Sequence, residues 1–411
     1  MTQDNQHTTR RLSPMSPLTG EPAGTVPVTE PGEVAAIADR SQRAFTTWGA
    51  MTHAERKPYL RSFAKLVLAS MDRIAAVIVS ETGKNLGDAH AEIIGTLTSL
   101  DFYTRHAERL LRPKKGRAWP FLTTRGWTEY HPLGVAGIIS PWNYPFYLPT
   151  LSSIQALSAG CTVVIKPSEL TPLSGQLIED LAIEAGLPDY VVQVIHGDGR
   201  TGAALVDTAT DIIAFTGSGG VGRLIAAQAA KTLKPVLLEL GGKDAQIVLE
   251  DANVKEAARA AITFGVFNAG QQCVGIERVY VVADVYDKFM EEAATAIGHV
   301  TAATGDSRDI GPFISPPQAD VVESQLERAV ADGARIVAGG SKLTTDHGVY
   351  FEPTLVDRVD HSMVLMQEET FGPVIPVMKV TDEQEALALA KELREKKGID
   401  TFVRELAEAK S

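Results

Sequence analysis

Several short stretches of this sequence place reactive side chains where a chain bends. In "NAGQQCVGIERV", residues 268–279, stands Cys273, one of two cysteines among 411 residues. Its thiol sits in a glycine- and glutamine-rich bend just before the apolar run Val279–Val282. Three roles suit a thiol there: inert filler, redox sensor, or a nucleophile that must stay accessible. In "ELGGK", residues 239–243, a carboxylate ends an apolar run and two glycines follow, so a ligand can approach the backbone closely. Glu239 is then either a surface carboxylate or a general base. "SPWNYP", residues 140–145, follows another apolar run, and its prolines stiffen the loop around Asn143. That side chain is a turn former or a donor to a developing oxyanion.

Two further stretches suit a nucleotide. "VVIKPSEL", residues 163–170, sets Lys166 and Glu169 at a strand end, with a spacing that suits the hydroxyls of an adenosine ribose. "FTGSGGVGRL" matches G-x-G-x-x-G at Gly217, Gly219 and Gly222. Amides opening a helix there can hold a pyrophosphate, although a plain glycine turn reads the same way. Glu239 lies near the distance at which that fingerprint places its ribose-binding acid. Cys161, in "SAGCTVVI", reads as a small core residue. The histidines show no metal-ligand spacing, and no metal is expected.

These bends need a scaffold. After a loose arm with an extended "GTVPV", helical periodicity runs from Glu33 to Ala50, Ala54 to Val79 and Asp88 to Leu111. "RPKKGRAWP" breaks it and reads as a solvated loop or edge ribbon. Strand-like runs follow at Val135–Ser140, Thr162–Lys166, Val191–Ile195, Ile212–Phe215, Val236–Leu240 and Gln246–Val248. Helical stretches such as Leu173–Ala185 and Gly219–Thr232 alternate with them, which indicates an α/β fold with a parallel, doubly wound sheet. A second unit begins near Gly241. It holds helices Ala252–Phe267, Val285–Val300 and Pro317–Asp332, and strands Val279–Val282, Arg335–Ala338 and Val374–Val380.

Composition narrows the class. The length exceeds one compact core and implies two or three domains. A net charge of −12 with no basic patch argues against nucleic acid, which needs clustered cations. Two cysteines cannot frame a disulfide scaffold and fit a reducing, cytoplasmic setting. No apolar run approaches a membrane span, and the N-terminus lacks an export signal's apolar segment.

The set as a whole resembles the aldehyde dehydrogenase superfamily, from about Pro17 to about Ala390. "PLTGEPAGTV", "PLGVAGIISPWNYP", "KPSELTP", "FTGS", "LELGGK", "NAGQQC" and "EETFGP" occur in that family's order. The resemblance implies a Rossmann-like parallel-sheet NAD-binding domain over 1–112 and 132–240. It adds an oligomerisation hairpin over 113–131 and an α/β catalytic domain over 241–411. It makes Cys273 the nucleophile, Glu239 the base and Asn143 the oxyanion donor. Trp142, Lys166, Glu169, Gly217 and Ser218 would hold the adenosine and pyrophosphate. Glu369 would hold the nicotinamide ribose, with Phe371 beside the ring. Tyr144, Leu148, Leu151, Gln272 and Val274 would line the approach of a small aldehyde. The implied cofactor is NAD, with NADP disfavoured by Glu169. Glu239 thereby moves from ribose ligand to base, and the glycine fingerprint becomes a near coincidence.

After "EETFGPVIPVMKV" the sequence departs from the family. Its "YGL" segment, glycine-rich loop and final ribbon strand have no counterpart here. Ala386, Leu387, Ala390 and Leu393 instead form an amphipathic stripe. Gly398 and Asp400 suit helix caps, and Phe402, Val403 and Leu406 a second stripe. Two expectations follow: a monomer or weak homodimer, and a second function hypothesis, a nucleotide-binding remnant or scaffold without a complete substrate tunnel. Trp119, Phe121 and Trp127 are expected on the apolar side of the Lys114–His131 hairpin.

Overall fold

The computed structural model describes residues 10–116, 119–120, 123–302 and 309–396. They divide into two compact units, residues 10–82 with 86–240 and residues 83–85 with 241–396.

The first unit is built on five parallel strands: β1 (Val135–Ile139), β2 (Thr162–Lys166), β3 (Val192–Val194), β4 (Ile212–Gly217) and β5 (Val236–Leu240). Their order is β3-β2-β1-β4-β5. β1 and β2 are buried along their whole length, because helices cover both faces. They therefore read as unbroken Val and Ile runs rather than as alternation. The winding reverses between β1 and β4, and a sheet of this kind opens a crevice there, outside the carboxyl ends of its strands.

The helical pattern from Ala54 to Val79 is two helices, His53–Ala69 and Met71–Thr82. Thr52 opens the first with a capping box: Glu55 N–H donates to Thr52 Oγ1 at 3.3 Å, and Thr52 N–H to Glu55 Oε2 at 2.7 Å. Ser70 leaves the helical region at φ −99° and ψ 14°. Periodicity passes over this break because Leu60, Phe63, Val67, Ile74 and Ile78 all enter one core. The ribbon pairs Lys114–Gly116 with Gly126–Thr128, Lys115 opposite Trp127. Trp119 and Trp127 are 80% and 56% exposed, while Phe121 lies outside the described residues.

The second unit holds β6 (Ala245–Val248), β7 (Arg278–Val282), β8 (Arg335–Ala338), β9 (Thr354–Asp357) and β10 (Val374–Val380), in the order β6-β7-β10-β9-β8. An all-parallel reading fits the first sheet only, since β8 runs antiparallel to β9. Sequence periodicity misses β9 and the short hairpin Lys342–Thr344 with Val349–Phe351. Three or four residues are too few to show a period. The last helix is Glu383–Lys396, with Ala386 buried and Leu387 38% exposed. Leu393 falls within it; the Gly398 and Asp400 caps and the second stripe lie outside the described residues. Among the described residues no helix is long and apolar enough to cross a membrane.

Candidate active site

In the first unit a cleft of about 760 Å³ opens at the carboxyl ends of the strands, lined by Trp142, Lys166, Glu169 and Gly217 among others. Lys166 closes β2, its side chain 6% exposed, and its ammonium meets the Glu169 carboxylate at 3.2 Å. Glu169 is 46% exposed, so the pair presents one buried cation and one reachable anion. Ser218 caps the helix Gly219–Ala230, accepting the Val221 N–H at 3.4 Å.

The fingerprint glycines have packing reasons as well. A Cβ on Gly217 would meet the Phe215 ring at 2.6 Å, and one on Gly222 would meet Leu240 at 2.7 Å. His196, buried just past β3, has Nε2 on Gln176 Oε1 at 2.8 Å. Burial, helped by the Lys166 charge, holds its pKa down at about 4.

The Asn143 loop follows β1 and runs into the helix Tyr147–Ala159. Asn143 is buried at 2% exposure. Tyr144, Leu148 and Leu151 recur at intervals of four and three, which places them on one face of this loop and helix. All three are half-buried. Sequence reading missed what holds the loop. Glu92, buried on the helix Leu86–Leu111, accepts the Phe146 N–H at 2.8 Å and the Tyr147 N–H at 3.0 Å. A carboxylate among Ala89, Ile93 and Leu100 is the signal that could have found it. Glu239 is the last residue but one of β5, paired with Thr216 of β4, and is exposed.

In the second unit the helix Val254–Val266 breaks into three consecutive left-handed residues, Asn268 (φ 53°), Ala269 (φ 55°) and Gly270 (φ 70°). Two of them are not glycine, and such strain persists only where surroundings enforce it. Here Asn268 Nδ2 donates to Gln271 O and Gln271 Nε2 to Asn268 O, both at 3.1 Å. Ile314 N–H adds a 3.0 Å bond to Gln271 Oε1. Gly270 allows the closest approach, since a Cβ there would lie 2.2 Å from the Gly372 backbone.

The turn lifts Cys273 to a half-buried position, while Cys161 in the first unit is buried. Gln272 turns inward and donates to Phe264 O at 2.6 Å, and Val274 is 74% exposed. Glu369 lies against Gly241 and Gly242, whose N–H donates to Glu369 Oε1 at 3.3 Å. Phe371 is left-handed at φ 53°. Its N–H donates to Glu277 Oε1 at 3.0 Å, and Glu277 also receives the Lys243 ammonium at 2.6 Å. Burial lowers the Lys243 pKa, and its partner Glu277 opposes that shift. Sequence reading passed over Glu277. Among the described residues no cluster suits a metal ion.

The first unit thus carries a nucleotide-sized cleft and a stiffened amide loop, and the second a thiol raised on a strained turn beside a glycine-backed carboxylate. Residues 3–395 match the aldehyde dehydrogenase family, and the chain belongs to it. The family oxidises aldehydes to carboxylic acids. A 4,4'-diapolycopene aldehyde oxidase from Methylomonas sp. is 39% identical over 386 residues, covering 93% of this chain and 72% of the relative. A glutarate-semialdehyde dehydrogenase from Pseudomonas putida is 34% identical, covering 92% and 78%. The crystal structure of an NADP-dependent enzyme from E. coli superposes with a TM-score of 0.88 at 33% identity, over 93% of this chain and 79% of that one.

Proposed function

We propose that the chain oxidises an uncharged aldehyde with NAD+, through a covalent bond to Cys273. The observation that carries this reading is the thiol's placement: half-buried, just past a strained left-handed turn, with its backbone carbonyl close to Gly242. A core cysteine needs none of that, whereas a nucleophile that must admit a carbonyl does.

The Cys273 thiolate attacks the carbonyl carbon and a C–S bond forms. The oxygen takes up negative charge, which the Asn143 amide and the Cys273 N–H stabilise by donating to it. The carbon then loses a hydride as C=O re-forms, leaving a thioester on Cys273. Bound NAD+ supplies the acceptor for that hydride. Glu239 takes a proton from water as the water attacks the thioester; the C–S bond breaks, and acid and thiolate part.

Trp142, Lys166, Glu169, Gly217 and Ser218 hold the adenosine and pyrophosphate in this reading. Glu369 holds the nicotinamide ribose, and Phe371 stands beside the ring. The fit is chemical: a buried ammonium paired with a reachable carboxylate suits vicinal hydroxyls, and an open helix N-terminus suits pyrophosphate. This assigns the adenosine and pyrophosphate to residues 1–112 and 132–240, and the nucleophile with the nicotinamide-ribose contact to the unit from 241 onward.

Tyr144, Leu148, Leu151, Gln272 and Val274 form the aldehyde approach. None is cationic, so the set favours an uncharged substrate. The name of the Methylomonas relative fits this better than glutarate semialdehyde, whose carboxylate asks for a cation. An aldehyde panel followed by NADH absorbance tests the reading. Turnover confined to semialdehydes would refute the substrate class, and NAD binding without turnover of any aldehyde would favour the remnant reading.

A further inference from the structure

Glu277 and Lys243 form a buried ion pair in the second unit, their side chains 7% and 0% exposed. Neither takes part in the chemistry above. Burying two charges costs more than filling the same space with apolar groups, so a pair with no further task brings little stability. This pair has directed contacts. Glu277 Oε2 accepts the Lys243 ammonium at 2.6 Å and the Thr370 N–H at 3.0 Å, while Oε1 accepts the Phe371 N–H at 3.0 Å. Lys243 also donates to Thr370 Oγ1 at 2.8 Å, and that hydroxyl donates to Gln325 Oε1 at 2.9 Å. Gln325 Nε2 returns to Glu369 O at 3.1 Å, and Gln318 Nε2 reaches Thr370 O at 2.9 Å.

Every one of these bonds ends on residues 369–371 or on a group that holds them. Phe371 occupies a left-handed conformation that a phenylalanine adopts only when its surroundings impose it. Two neighbouring N–H groups gathered by one carboxylate supply that imposition. Lys243 is itself fixed, since Arg278 Nε donates to its carbonyl at 2.8 Å. Two residues before Lys243, Gly241 backs the Glu369 carboxylate, so one side of the segment meets "GGK" backbone and the other meets Glu277.

We propose that Glu277, with Lys243, is a positioning residue that sets the Glu369–Phe371 segment for the nicotinamide half of the dinucleotide. The proposal rests on the reading of Glu369 as the nicotinamide-ribose contact. Its signature is a split between two ligands: NAD, which reaches that segment, and ADP, which lacks both the nicotinamide and its ribose.

Isothermal titration of the whole chain with each ligand reads the split. Glu277→Gln offers one acceptor oxygen where three donors converge. Its Kd for NAD should rise about tenfold, about 1.4 kcal/mol, while that for ADP stays within about twofold. The double variant Lys243→Met with Glu277→Gln leaves no unpaired buried ammonium and should show the same split, so a failure of the single variant to fold does not end the test. Parallel losses for both ligands, or a lowered Tm with both affinities intact, would overturn the proposal. Glu369→Gln separates the two readings. A split in Glu369→Gln without one at Glu277 overturns the positioning role alone. No split at Glu369 overturns the ribose contact, and the positioning role with it.

Discussion

The Glu369 carboxylate rests on the backbone of Gly241: a Cβ at that glycine would stand 2.0 Å from Glu369 Oε2. The obstacle to Gly241→Ala is the tip of a flexible side chain rather than backbone. The variant should therefore fold, with Tm within a few degrees, while Glu369 is pushed aside. A loss of kcat/KM for NAD of about tenfold is expected, equivalent to one charge-assisted hydrogen bond. Steady-state kinetics beside a thermal melt checks this, and unchanged kinetics would remove Glu369 from the cofactor's contacts.

Cys273→Ala should abolish dehydrogenase turnover and leave NAD binding within about twofold, because the thiol bonds the substrate and not the cofactor. Alkylation should reach Cys273 before Cys161, which is only 6% exposed. Peptide mapping after limited iodoacetamide treatment gives the order. Modification of Cys161 first, with activity retained, would end the nucleophile assignment.

In the proposed reading, Glu169 sets the choice between cofactors. Its half-exposed carboxylate stands 3.2 Å from Lys166, at the cleft, and a 2′-phosphate brought there meets like charge. NAD should give the higher kcat/KM. Glu169→Gln should raise kcat/KM for NADP about tenfold, on the order of 1.4 kcal/mol. The E. coli neighbour named for NADP makes this a real contest. A wild-type preference for NADP would overturn the assignment.

Two buried groups of the first unit tilt stability in opposite directions with pH. Glu81 accepts the Leu173 and Ser174 N–H groups at 2.6 and 2.8 Å, yet burial outweighs these bonds and lifts its pKa to about 7. Between about pH 4.5 and 7 the native state keeps a proton that the unfolded chain has released. Stability from this group therefore falls as pH rises, by about 1.4 kcal/mol per unit. His196, held down at about 4, does the reverse: between about pH 6.5 and 4 the unfolded chain takes up a proton that the native state refuses. Its contribution is lost as pH falls.

In the wild type the two slopes largely cancel between about pH 4.5 and 6.5. Glu81→Gln should leave a stability that climbs with pH across that window, and His196→Asn one that declines. All four tryptophans belong to the first unit, so urea melts followed by their fluorescence report it selectively. Identical slopes in both variants would show that neither group titrates as its burial implies.

The sequence alone placed the candidate residues at the ends of the strands. Lys166, Glu169, Asn143, Ser218 and Glu239 each follow or end an apolar run whose type is set by a few adjacent residues. In a parallel sheet such positions fall at one edge whatever the packing elsewhere. Cys273 was legible for the same reason, from glycine and glutamine on one side and a strand on the other. What only the tertiary structure decided is what holds those groups. Glu92 reaches loop amides 54 and 55 residues on, and Glu277 gathers Lys243, Thr370 and Phe371 from 34, 93 and 94 residues away. Left-handed Ala269 and Phe371 carry no mark in sequence, because no local preference produces them. The Phe371 N–H is held by Glu277 and the turn after Ala269 by Ile314 on Gln271, and such bonds exist only once the unit has closed around them.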